Sequence, residues 1–72
     1  MNLLELGAKI RSLRKEKSLT QEQLAKKAQI SRATLSKLEN GYYGHISLAT
    51  INDILSTLGY EIDIKPKNPF FS

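Results

Sequence analysis

The sequence contains no cysteine and a single histidine, His45. Disulfides and thiolate zinc sites are therefore excluded, and one imidazole cannot build a metal site. No apolar run approaches the roughly 20 residues that a helical membrane span requires. The N-terminus also lacks the charged-then-apolar pattern of a leader. These absences lead to the expectation of a soluble, cytoplasmic protein without metal or cofactor. Enzymatic chemistry is disfavoured on similar grounds. With no cysteine, one loop histidine and no paired carboxylates at a pocket-forming spacing, no catalytic constellation stands out.

Seventy-two residues make one small domain. A core of this size supplies only about 3–5 kcal/mol net. Small chains often gain the rest from disulfides, metals or a partner subunit. Here the first two routes are closed, so oligomerisation is expected.

The net charge is +4, and it is unevenly spread. Residues 1–37 carry nine bases against three acids, a balance of +6. Residues 38–72 carry two bases against four acids, a balance of −2. The first half has the footprint of a polyanion binder, although charge alone does not separate DNA, RNA and acidic protein from a merely solvated surface. RNA is disfavoured because the basic half has no aromatic platform for stacking bases.

Hydrophobic spacing predicts a first helix over residues 2–17, with Leu3, Leu6, Ile10 and Leu13 on one face. Asn2 and Glu5 form a candidate N-terminal capping pair. Thr20-x-x-Gln23 is a capping box that starts a second helix, whose narrow face is Leu24, Ala25 and Ala28. Residues 29–30 form a turn, with Ile30 plugging the core. Ser31 caps a third helix with Leu35 and Leu38 inward, and Asn40-Gly41 ends it with a left-handed cap. After a loop at 42–46, Ser47 caps a fourth helix with an apolar stripe of Leu48, Ile51, Ile54, Leu55 and Leu58, stopped by Gly59.

The period then changes. Tyr60, Ile62 and Ile64 alternate with Glu61, Asp63 and Lys65, the mark of a half-buried strand over 60–65. A lone strand leaves its backbone groups unpaired. Pairing with the same strand of a second copy about a two-fold axis answers this, and the small core as well. An extended tail is the competing interpretation. Residues 66–72 form a tail without a period, and its Phe70-Phe71 pair is either a partner anchor or a frayed end.

Residues 20–41 are the stretch around which the rest is organised. A helix that reads the major groove needs short polar or basic side chains near its start, an apolar back, and flanking groups that hold phosphates. Arg32, Ala33, Thr34, Ser36 and Lys37 supply the outer face, the candidate base contacts. Leu35 and Leu38 supply the back. Gln21 and Asn40 are placed for phosphates, Gln21 at the start of the second helix where amides favour an anion. Ser31 and Tyr43 complete the candidate phosphate contacts, with packing under the loop the alternative for Tyr43.

The stretch LTQEQLAKKAQISRATLSKLENG resembles the helix-turn-helix of the lambdoid-repressor, or XRE, family. The T-Q-x-x-L-A start and the L-x-x-L-E-N-G end carry the resemblance, which extends over residues 1–59. It implies a mainly α, four- to five-helix, lambda-repressor-like DNA-binding domain. It also implies phosphate contacts at Gln21 and Asn40, base contacts at Arg32, Ala33 and Lys37 with Thr34 and Ser36 nearby, and an inward ion pair between Arg14 and Glu39. Ser18 and Gln29 depart from the family pattern, standing where glycine is frequent and φ tends to be positive.

A fourth helix ending in Leu-Gly and followed at once by a strand looks like HipB-type antitoxins. That resemblance implies a C-terminal strand shared across a homodimer, repression of the protein's own operon from a palindromic operator, and inhibition of a HipA-type kinase toxin. A stand-alone regulator and a protein-binding adaptor on the same fold are the alternatives.

Overall fold

The computed structural model describes residues 3–44 and 46–63. Among these described residues four helices follow in order: α1 (Leu3–Glu16), α2 (Gln21–Lys27), α3 (Arg32–Glu39) and α4 (Leu48–Thr57). α3 packs on α1 and α2, and α2 also packs on α4.

The helix ends are determined by local chemistry. The Thr20 side chain accepts from the Gln23 amide, and the Gln23 side chain accepts from the Thr20 amide. Ser31 and Ser47 accept from the Thr34 and Thr50 amides at 3.0 and 3.1 Å. Each bond satisfies a first-turn donor that the helix itself leaves open. The expected cap at Asn2 lies outside the described residues.

All four helices close in the same way. In each, paired backbone bonds run back from the two residues after the C-cap to the last turn: Ser18 and Leu19 after α1, Gln29 and Ile30 after α2, Gly41 and Tyr42 after α3, Gly59 and Tyr60 after α4. This closure requires a left-handed residue just past the cap. Glycine serves at Gly41 (φ 87°) and Gly59 (φ 88°), but Ser18 (φ 56°) and Gln29 (φ 59°) adopt it with a side chain. Leu19 and Ile30, which follow those two, turn inward against the core.

The core draws on every helix: Ile10 and Leu13 from α1, Leu24 and Ala25 from α2, Leu35 and Leu38 from α3, and Ile51, Ile54 and Leu55 from α4, with Ala28 and Leu58 at the C-caps of α2 and α4. Leu6 and Ile30 pack at its edge.

One expected core residue is not there. Leu48 is 68% exposed. As the first residue of α4 it has a Cα–Cβ bond that tilts toward the helix start, so its side chain projects past the end of the core. The apolar stripe of α4 therefore begins at Ile51.

A close approach replaces bulk where α1 meets α3. Gly7 is buried, and a Cβ there would collide with the carbonyl oxygen of Leu38 and lie 3.2 Å from the Tyr43 hydroxyl. Residues 60–63 form no strand within the chain, Tyr60 and Ile62 are exposed, and Ile64 lies outside the described residues. No described helix is long and apolar enough to cross a membrane.

Candidate nucleic-acid interface

α3 is presented by its neighbours with one face in and one face out. Leu35 and Leu38 have no exposed surface, whereas Arg32, Ala33 and Lys37 are exposed and Thr34 and Ser36 are half-buried. The start of the helix is ordered by the Ser31 cap and by a 2.8 Å bond between the Ser31 and Thr34 hydroxyls.

The far end of α3 is held by charge. Arg14 and Glu39 are both buried. The Arg14 guanidinium donates to Glu39 through Nε to Oε2 at 2.7 Å and through Nη2 to Oε1 at 3.0 Å. Its Nη1 donates to the Leu19 carbonyl at 2.8 Å. The two-pronged match suits the fixed fork of arginine. It ties α1 to the end of α3 and to the connection leading into α2. Among the described residues no buried side-chain nitrogen or oxygen lacks a partner, so the desolvated pair is fully compensated.

The expected phosphate contacts fall into two groups. Gln21 and Asn40 belong to the far end of α3. Gln21 is half-buried and its Nε2 donates to Glu39 Oε1 at 3.1 Å, while Asn40 is exposed and its Nδ2 donates to the Ser36 carbonyl at 2.8 Å. Ser31 and Tyr43 stand instead beside the start of α3. With Ile30, Thr34, Lys37, Gly44, Ile46 and Thr50 they line a groove of about 390 Å³. Among the described residues no acid lines this groove, and Lys37 gives its lining a cation.

Tyr43 also does something that its sequence position does not show. Its hydroxyl oxygen accepts from the Gly7 amide at 3.0 Å, and its ring packs against the core. The loop after α3 is thus bonded to α1 across 36 positions of chain. The one signal in the sequence was Gly7 itself, since a glycine inside a helix otherwise costs about 1 kcal/mol and marks close packing.

Fold and site together define a helix-turn-helix DNA-binding module. The sequence matches the helix-turn-helix family over residues 10–65, and the chain belongs to that family in its XRE form. The immunity repressor protein of Bacillus phage phi105 is 39% identical over 59 residues, covering 82% of this chain and 40% of that protein. A protein of Mycobacterium tuberculosis designated antitoxin HigA2 is 41% identical over 56 residues, covering 78% of this chain and 55% of that one. The chain thus spans between two-fifths and just over half of these relatives. Among solved structures, a chain of a HipA-HipB-O2-O3 complex superposes with a TM-score of 0.81 at 28% identity, over 94% of each chain.

Proposed function

We propose that the protein is a sequence-specific transcriptional repressor that binds a palindromic operator as a homodimer in the cytoplasm. It acts by binding and carries no enzymatic activity. The observation that carries this reading is the outward face of α3. Arg32, Ala33 and Lys37 are exposed on a helix whose opposite residues, Leu35 and Leu38, are wholly buried. Such a helix can enter the major groove without giving up its hold on the domain. Arg32 is suited to guanine O6 and N7, and Lys37, Thr34 and Ser36 to neighbouring edges. Gln21, Ser31, Asn40 and Tyr43 would set the register on phosphates.

Within this reading the protein is an antitoxin that also inhibits a HipA-type kinase toxin. The likeness to the designated antitoxin HigA2 and to a chain of the HipA-HipB complex supports it. The likeness to a phage immunity repressor supports a stand-alone regulator instead. In the dimer, residues 60–65 pair with their counterpart as a strand. Tyr60 and Ile62, exposed in the single chain, and Ile64, outside the described residues, would cover apolar surface between subunits.

Footprinting on the DNA upstream of the protein's own coding sequence tests the function. Protection of an inverted repeat that persists at ~150 mM salt, where random DNA is released, is the expected result. Equal protection of all sequences would leave only charge-driven binding.

A further inference from the structure

One acceptor at the far end of α3 serves two donors. The Glu39 side chain is only 2% exposed, and its Oε1 accepts both from Arg14 Nη2 at 3.0 Å and from Gln21 Nε2 at 3.1 Å. A carboxylate paired with a guanidinium can only accept. The Gln21 amide must therefore turn its nitrogen, not its oxygen, toward Glu39. One Nε2 proton is used in that bond, and the second has no partner among the described residues.

We propose that Glu39 is a positioning residue for DNA binding, one that holds the Gln21 amide so that its second Nε2 proton meets a backbone phosphate oxygen. This rests on the reading of the chain as a DNA-binding protein with Gln21 at a phosphate. A glutamine side chain in solvent samples many rotamers, and ordering it only on binding would weaken the complex. Here the ordering is already done in the free protein. A bare carboxylate so near a phosphate would repel it. The Arg14 guanidinium closes both Glu39 oxygens and cancels that charge. The ion pair thus has two effects: Arg14 ties α1 to α3, and Gln21 becomes a preset donor on α2.

The test uses the full chain, a duplex selected by the wild-type protein from a random pool, and a scrambled duplex of the same length. Q21A, E39Q and the double variant are compared at a temperature where circular dichroism shows them folded. Q21A is expected to weaken both duplexes by a common factor of roughly ten or more, as for a lost bond to a charged group. E39Q is expected to weaken both by a common factor when Gln21 is present, and to add nothing in the Q21A background. An E39Q loss of equal size in both backgrounds overturns the proposal. So does a loss confined to the selected duplex, which is what a tilted α3 would produce. Should E39Q not fold, the wild-type chain decides by NMR. One Gln21 side-chain amide proton should be protected from exchange in the free protein, and the other should shift when the selected duplex is added. A side-chain amide that does not respond overturns the proposal. A wild-type chain that binds neither duplex removes the DNA-binding reading itself.

Discussion

Gln29 holds φ at 59° with its side chain exposed, and Ser18 holds 56° in the matching position after α1. A side chain in the left-handed region is strained because its Cβ crowds the neighbouring carbonyl, a cost of about 1–2 kcal/mol. Glycine removes that strain but loses about 0.5–1 kcal/mol through the greater freedom of the unfolded chain. The difference favours Gln29→Gly by about 0.5–1 kcal/mol. In a domain of this size its melting temperature should rise by roughly 2–8 °C in a calorimetric or dichroism melt. A lowered value would mean that the Gln29 side chain contributes more than its exposed setting suggests. These two positions were legible in the sequence, since each stands where the family pattern favours glycine. Gly7 was less so. The reason it must lack a Cβ is the Leu38 carbonyl, which lies 31 positions along the chain.

At the scale of the element, α3 has two jobs that separate by face and by end. Its inward residues set its depth, and the Arg14–Glu39 pair fixes its far end. Under the proposed function its outward residues are then free to specify sequence. Arg32→Ala and Lys37→Ala should each cost about 1–3 kcal/mol on the operator and relax the preference at the base pair concerned. Competition binding against a set of singly substituted operators measures this. If both variants lose affinity for every sequence alike, these side chains hold phosphates, and the base readers lie elsewhere on α3. The limits of the helices were readable from capping residues and periodicity because both act within a few positions. The buried stripe of α4 is one residue shorter than its apolar spacing predicts. Periodicity assigns Leu48 to the same face as Ile51, but it does not report where the core ends.

At the scale of the molecule, the described residues of one chain present one α3. A two-fold pair would place two of them on inverted half-sites about 34–36 Å apart, one turn of DNA or a multiple of it. Under the proposed assembly the segment after α4 joins the copies. Cutting the chain after Gly59 should shift its gel-filtration elution toward the monomer and weaken operator binding far more than binding to an isolated half-site. A truncated chain that remains fully dimeric would assign the interface to the helices. The exposed Tyr60 and Ile62 mark where to look, since each is an apolar side chain that the single chain leaves uncovered.

What the sequence alone determined is what short-range physics controls. Hydroxyl caps at Thr20, Ser31 and Ser47, the left-handed ends, and apolar residues at helical spacing delimit four helices and place Leu35 and Leu38 inward. The polar face of α3 follows from that placement. Only the tertiary structure decided which groups meet across long separations. Gly7 meets Tyr43 across 36 positions, Arg14 meets Glu39 in a two-pronged bond across 25, and Gln21 turns its amide nitrogen to the same carboxylate across 18. The resemblance had suggested the ion pair, but nothing local in the sequence specifies its geometry or the third partner. Such bonds depend on how the helices cross, and the crossing depends on the whole core at once.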